Sequence, residues 1–331
     1  MSLLGQTHKP YEIIVVASYI DTTSRAIEDL IYKKRVIYIK VKSRSYIRDA
    51  HFKRWLGANR ARGEYIFFTD SKAILDRKAL QKAILLAKKY KVEAVAGIAK
   101  SWKQDENLLV SKLQDKGLIR NNPKFPKLGK LNIKNIGRTE SLPVTTALLI
   151  SKDAFKSIKG DFGLEYSKVA STYDDYVTAW LLAKEGYEIL LTNRIISYHK
   201  HRNWKQYFKQ IARSGQSAAL MLKYYPDCPY GKRRAFQVFT FSALNIFLLA
   251  VTAIFIIKLY FGWLFILVFG TGLALIIAGI INVLIEKDID TFFLPPFTYA
   301  LICTFSIHYL RWFFTKTKNY KKKIINYFQL H

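Results

Sequence analysis

The feature that most constrains this fold is a predominantly apolar run over residues 239–257, which contains no charged residue. A helix of that length can cross a hydrocarbon core of roughly 30 Å. Two further apolar runs follow, residues 259–285 without any charge and residues 292–314 with Arg311 near one end. Soluble buried helices rarely run this long without charge, so we predict a transmembrane region of two to three helices over residues 236–315.

The formal net charge of +29 is distributed unevenly. Residues 236–315 contain as many acidic as basic residues, and residues 316–331 form a short basic tail, so most of the positive charge lies in residues 1–235. A basic domain joined to a neutral apolar segment predicts phosphate groups and membrane lipids as partners. Nucleic acid is the rival partner, but it would not explain the apolar segment, and we predict no nucleic-acid binding.

Basic clusters flank the apolar segment on both sides. Lys232, Arg233 and Arg234 precede the first run, which predicts an integral membrane protein whose domain 1–235 is cytoplasmic. The basic tail also favours the cytoplasmic side. Three complete spans would place the two clusters on opposite sides, so either the charge rule fails once or the segment with Pro295 and Pro296 is re-entrant.

Residues 1–235 alternate between strand-like and helix-like stretches. Strands are predicted at residues 12–16, 36–41, 65–69, 92–98, 145–150 and 188–192, and helices at 24–33, 46–61, 76–90, 173–185 and 204–222. Residues 100–138 are predicted to form a long loop. This alternation predicts an α/β domain with a mostly parallel sheet.

Asp70 stands where the central predicted strand ends. Ligands of open α/β sheets bind at the carboxyl ends of strands, and a carboxylate placed there can hold a divalent cation that in turn binds a diphosphate. The alternative is an ordinary aspartate that opens a turn.

Several segments in a fixed order carry a resemblance. Residues 54–66 resemble an Arg-Asn-x-Gly…Ala-x-Gly-Glu-Tyr-Ile segment, residues 70–72 fall on an Asp-x-Asp motif, and residues 162–165 with 173–189 resemble a Gly-Phe-x-x-Glu and Glu-Asp…Gly-Tyr run. Together they resemble the family-2 inverting glycosyltransferases with the GT-A fold. The resemblance implies a GT-A nucleotide-sugar-binding domain over residues 1–235 that lacks the family's first strand.

The resemblance also implies roles for individual residues. Asp175 would be the catalytic base and Asp174 would support it, while Asp70 would hold Mg²⁺ or Mn²⁺ on the donor diphosphate. His199 would approach the same metal. The remaining donor-binding candidates are Asp21, Arg54, Lys72 and Arg213.

Each role has a plainer alternative. Asp174 and Asp175 could simply be acids at a helix N-terminus, where the helix dipole favours them. Lys72 could be a solvated turn lysine, and His199 could be structural. Residues 204–222 would suit a helix lying on the membrane, or an amphipathic helix packed on the domain.

We therefore expect a membrane-bound glycosyltransferase that moves a sugar from a nucleotide-sugar donor to a lipid-linked acceptor with inversion. The acceptor would be polyprenyl or dolichyl phosphate, or a lipid-linked glycan. The alternative is a catalytically silent membrane scaffold, because Trp55 and Lys72 replace an Asn and an Asp of the family's motifs.

Overall fold

A computed structural model describes residues 2–18, 27–33, 36–41, 50–102, 126–137, 143–160, 166, 170, 172–199, 203–257, 261–286 and 294–315. By internal contacts the chain divides into two units, the first containing the described residues up to 199 and the second containing those from 203 to 315. The predicted boundary at residue 235 follows composition, whereas the division by contacts assigns residues 203–235 to the second unit. The domain assignment itself stays a prediction.

Eight strands are described in the first unit. They are β1 (Ile14–Ser18), β2 (Ile37–Val41), β3 (Tyr65–Phe68), β4 (Ala73–Leu75), β5 (Ala94–Ser101), β6 (Gly129–Leu131), β7 (Leu148–Ser151) and β8 (Ile189–His199). The helices of this unit are α1 (Glu28–Tyr32), α2 (Ala50–Arg60), α3 (Ala79–Tyr90), α4 (Lys152–Ile158) and α5 (Asp174–Lys184). The short strands β4 and β6 and the helix α4 were not predicted.

The strands form a mixed arrangement. β1 and β2 pair in parallel, and the other six strands form a sheet with the order β3-β7-β5-β8-β4, with β6 added beside β8. In that sheet only β5 and β8 are parallel among the described pairs. The alternation of strands and helices predicts parallel neighbours because it assumes a crossover helix at every step. Here β3 and β4 are instead separated by a short turn, so β4 forms an antiparallel edge.

The core of the sheet lies under α3. The buried face of this helix repeats at helical spacing through Ala79, Leu80, Ala83, Leu86 and Ala87, which pack with Val95, Leu149 and Ile195 of the sheet. Gly97 allows β5 to approach β8 closely, since a Cβ atom there would lie 2.4 Å from the Ile195 carbonyl oxygen. The register of β5 against β8 shifts at the same point.

An open cleft of about 530 Å³ lies between β1, β3 and α2. Its lining includes Val16 of β1, Phe67 of β3 and Gly57 of α2, together with the charged residues Lys53, Arg54 and Asp70. This cleft brings the carboxyl end of β3 and the charged face of α2 to one place.

The second unit is helical. It contains α6 (Trp204–Tyr224), α7 (Pro229–Ile257), α8 (Phe261–Glu286) and α9 (Leu294–Phe314). One helix among the described residues, Pro229–Ile254, is long and apolar enough to cross a membrane, and Phe269–Ile285 is a shorter apolar stretch. Pro295 and Pro296 lie in the first turn of α9, where proline is tolerated, and the helix continues beyond them.

The predicted helix at residues 204–222 is confirmed, and its apolar face is covered by α9. Tyr207 and Ile211 pack with Leu301, and Trp204 packs edge-on against Phe297 at a centroid distance of 4.0 Å. The side chain of Asn203 accepts a hydrogen bond from the Gln206 amide and so caps the helix.

Candidate active site

Arg54 joins two carboxylates that are distant in the sequence. Its Nη2 donates to Asp70 Oδ1 at 2.7 Å, and its Nη1 donates to Asp174 Oδ2 at 2.9 Å. The Arg54 side chain is 13% exposed, so both ion pairs are partly shielded from water. The end of β3, the middle of α2 and the start of α5 therefore meet at one guanidinium group.

A buried histidine also faces Asp174. His51 is 2% exposed, and its Nδ1 lies 3.4 Å from Asp174 Oδ2. Because His51 and Arg54 are three residues apart on α2, they lie on the same face of that helix. One face of α2 thus holds Asp174 through two side chains.

The acid pair opens α5 immediately after a strained residue. Tyr173 has φ 67° and ψ 10°, a left-handed conformation that costs energy for a non-glycine residue. Asp174 and Asp175 then occupy the first turn, where unpaired backbone N–H groups and the helix dipole favour negative charge. The hydroxyl of Thr145 donates to Asp175 Oδ1 at 2.7 Å, so the two carboxylates are held by different partners.

The two neighbouring carboxylates differ in acidity. Burial alone would raise the pKa of Asp174, but the hydrogen bond from His51 and the positive charge of Arg54 outweigh it and hold that pKa well below its usual range. Two effects raise the pKa of Asp175 to about 6: the larger is burial, and the second is the negative charge of Asp174. For Arg54, burial would lower the pKa, but the charges of Asp174 and Asp70 keep it raised. Asp174 therefore stays ionised, whereas Asp175 takes up a proton at a higher pH than an ordinary aspartate does.

The described residues offer few ligands for a metal ion. Asp70 supplies a carboxylate of the kind that Mg²⁺ and Mn²⁺ prefer, but one of its oxygens already accepts from Arg54. His199 lies opposite Ala73 in the register of β8 and β4, beside the turn that follows Asp70. Within the described residues there is no group of three or more His, Cys, Asp and Glu side chains that could hold an ion. The chemistry of Asp70 suits a cation, but further ligands would have to come from elsewhere, such as the donor phosphates.

The other predicted site residues are not among the side chains described above that contact Arg54 or Asp174. Lys72 is exposed in the turn between β3 and β4. His199 is the last residue of β8, so the expectation that it follows a strand ending at residue 192 was wrong, because β8 continues to pair with β5 and β4. Arg213 is exposed on α6, in the second unit. Asp21 lies outside the described residues. The functional roles of all these residues stay predictions.

Comparison with known proteins now bears on this geometry. Residues 1–159 match the family model described as Glycosyl transferase family 2. The N-terminal part of this chain is a glycosyl transferase family 2 domain. The prediction of a family-2 glycosyltransferase with a GT-A fold is thereby confirmed. Because the match ends at residue 159, it includes His51, Arg54, Asp70 and Thr145 but not the acid pair of α5.

Solved structures give a weaker likeness. The crystal structure of S. aureus TarS 1–349 with UDP is 14% identical, with a TM-score of 0.40, over 67% of this chain and 60% of that one. The same protein with UDP-GlcNAc is 13% identical, with a TM-score of 0.43, over 67% and 61%. The chain thus spans about 60% of the TarS chains that it matches, and scores this low leave the identification to the family match. No curated protein matches the chain.

Two of the clustered residues were not predicted from the sequence. His51 could have been found, because it lies one helical turn before Arg54 on the same predicted helix. Thr145 gave no signal, since a threonine at the start of a predicted strand is ordinary. His51 helps to lower the pKa of Asp174, whereas the hydrogen bond from Thr145 lowers the pKa of Asp175 and is outweighed there by burial and by the charge of Asp174.

Proposed function

We propose that this protein transfers a sugar from a nucleotide-sugar donor to a lipid-linked acceptor, with inversion, at a membrane surface. The observation that carries the proposal is the position of Arg54, which places the strand-end Asp70 and the helix-start Asp174 at the two ends of one guanidinium group. This site lies in a glycosyltransferase domain and combines an acid for donor binding with an acid pair for proton transfer.

Asp175 acts as the general base in this proposal. Inverting transfer requires the acceptor hydroxyl to lose a proton as it attacks the sugar, and a carboxylate with a pKa of about 6 is mostly ionised at pH 7 and still able to accept that proton. Asp174 keeps its charge and raises the proton affinity of its neighbour. Thr145 and the start of α5 fix the orientation of the Asp175 carboxylate.

Asp70 serves the donor side. With the donor phosphates it would hold Mg²⁺ or Mn²⁺, whose charge would stabilise the departing nucleoside diphosphate. Lys72, exposed two residues later, adds a fixed positive charge for the same diphosphate. The cleft beside Asp70 and Lys53 offers space for the rest of the donor.

The lipid-linked acceptor is proposed because of the second unit. Only 6% of the most apolar 18-residue stretch of the helix Pro229–Ile254 is buried, whereas the core helix of a soluble protein would be mostly buried. Large apolar side chains such as Phe236, Ile246 and Leu249 are exposed on it. A membrane would cover them, and the basic residues 232–234 at the start of this helix favour a cytoplasmic position for the first unit.

The test is transfer by the purified full chain in lipid nanodiscs. A panel of nucleotide sugars, including UDP-GlcNAc, is offered with polyprenyl phosphate or with a lipid-linked glycan, and the products are identified by mass spectrometry. We expect a glycolipid of inverted anomeric configuration with at least one donor, lost in Asp175→Asn. A protein that binds no donor and transfers to no acceptor would instead be a silent scaffold.

A further inference from the structure

Arg234 is a buried cation near the start of α7. It is 4% exposed, although arginine is seldom fully buried without a counter-charge. Its Nη1 donates to Gln237 Oε1 at 2.5 Å, and its guanidinium carbon lies 4.6 Å from the centre of the Tyr230 ring. Both partners are neutral side chains of the same helix, one turn to either side.

The rest of this guanidinium lacks partners. Nε and Nη2 of Arg234 are buried and make no hydrogen bond, and the partners given for this side chain among the described residues, Gln237 and Tyr230, are both neutral. A buried charge without a counter-charge is costly, and removing such a charge often stabilises a protein. Two parallel N–H groups on a planar fork are the donors that a phosphate group accepts in bidentate fashion.

The surroundings are also positive. Pro229 begins α7, so the positive end of the helix dipole lies within two turns of Arg234. A Cβ atom on Gly231 would lie 3.3 Å from the Leu222 backbone, so the start of α7 lies directly on the end of α6. The next residue of α6, Lys223, donates to the carbonyl oxygens of Trp312 and Thr315 at 2.9 and 2.7 Å. The exposed Lys232 adds another cation.

The position along α7 corresponds to the edge of a membrane. The charge-free run begins at Phe239, five residues after Arg234, which is roughly 7.5 Å along a helix. Lipid phosphates occupy that boundary. Gln237 is itself exposed, so the hydrogen bond from Arg234 Nη1 ends on a side chain at the surface.

We propose that Arg234 binds the phosphate group of an anionic lipid at the membrane boundary, with Gln237 moving aside. This inference rests on the membrane placement in the proposed function, but not on sugar transfer. The phosphate belongs either to a bilayer phospholipid or to a polyprenyl phosphate, and the chemistry of recognition is the same for both.

The experiment compares thermal unfolding of the purified full chain in neutral detergent. Wild type, Arg234→Met, Arg234→Gln and the neighbouring control Lys232→Gln are each measured alone and with phosphatidylcholine, phosphatidic acid or polyprenyl phosphate. Without lipid, we expect Arg234→Met to melt above wild type, because it removes an uncompensated buried charge. With an anionic lipid, wild type and Lys232→Gln should gain about 2–6 °C, while both Arg234 variants should gain less than half of that.

The lipid panel identifies the source of the phosphate. A gain with phosphatidic acid and polyprenyl phosphate alike assigns a general phospholipid site, and a gain with polyprenyl phosphate alone assigns an acceptor site. Three results would overturn the proposal. The melting temperature could rise equally in wild type and in the Arg234 variants, it could rise as much with phosphatidylcholine as with the anionic lipids, or it could rise with none of the lipids. No sugar donor is present, so a protein inactive in transfer that still shows the Arg234-dependent gain refutes only the proposed function.

Discussion

In the first unit Arg54 lies between two carboxylates, whereas in the second unit Arg234 has only neutral partners. Both guanidinium groups are largely shielded from water. The Arg54 charge is compensated by residues of the chain itself, and its two hydrogen bonds hold Asp70 and Asp174 at one guanidinium group. The second is not compensated within the described residues, which indicates a role for a group from outside the chain. Burial of an arginine alone therefore does not reveal its role, and the charge of its partners does.

The largest effect is expected at Asp175. Asp175→Asn cannot accept a proton, and a general base typically contributes about 10²–10⁴-fold in rate, so kcat should fall by that order. Folding should not suffer, because burial disfavours the charge of Asp175 and the substitution removes that charge. Initial rates and melting temperature at pH 8, where the native carboxyl is ionised, measure both effects. Unchanged kcat would mean that the base lies elsewhere.

The next effect tests the compensated arginine. Arg54→Met should leave Asp70 and Asp174 without their shared partner and cost about 1–3 kcal/mol of unfolding free energy, between the values for exposed and for buried ion pairs, because both carboxylates are partly exposed. Chemical denaturation of the full chain gives this value. Arg60→Ala, an exposed arginine on the same helix, is the matched control and should change stability by less than about 0.5 kcal/mol. A similar loss of unfolding free energy in both variants would show that α2 tolerates no arginine substitution, and that the contacts from Arg54 to Asp70 and Asp174 are not the cause.

Without lipid, Arg234→Met should raise the stability of the protein, whereas Arg54→Met should lower it, because Arg234 has no counter-charge among the described residues. Together the two arginine variants test the comparison directly. If both variants destabilise the protein by the same amount, the distinction between a compensated and an uncompensated arginine fails.

Local signals in the sequence predicted much of the first unit. The strand at residues 65–69 and the helix at 76–90 were found because apolar spacing is a property of neighbouring residues. The antiparallel placement of β7 against β3 was missed, because pairing direction depends on how the chain returns to the sheet. The end of β8 was placed too early because residues 193–199 include polar side chains, although the backbone there still pairs with β4 and β5.

The candidate site was predicted only in part, for a similar reason. Motif order placed Arg54, Asp70, Asp174 and Asp175 among the candidates, but it did not predict that Arg54 contacts two of the carboxylates. Its bridge to Asp174 joins residues that are 120 positions apart, and no local pattern reports such a contact. The raised pKa of Asp175 likewise depends on burial, which is a property of the folded chain.

The second unit relies on close backbone packing as well as on charge. Gly215 of α6 faces α9, and a Cβ atom there would lie 2.2 Å from the Phe305 carbonyl oxygen. Gly215→Ala must push the helices apart and should cost about 1–3 kcal/mol, measured as a lower melting temperature in detergent. Gly270→Ala on α8 is the control, since its Cβ would meet nothing within 4 Å, and it should be neutral or stabilising. Equal losses would contradict a specific contact between α6 and α9.

The smallest expected effect concerns the pH profile and tests how the two acids of α5 are coupled. Wild-type kcat/KM should rise with pH through about 6, because Asp175 must lose its proton before it can act as a base. Asp174→Asn keeps the shape of the side chain but removes the negative charge that helps to raise the pKa of Asp175. The pKa of Asp175 should then fall, and the acidic limb of the profile should move to lower pH, with a smaller loss of maximal rate than in Asp175→Asn. Rates between pH 4.5 and 8 under single-turnover conditions, with the fold checked at each pH by circular dichroism, measure the shift. A limb that stays in place would show that burial alone sets the pKa of Asp175, and a limb that moves to higher pH would assign the titration to a different group.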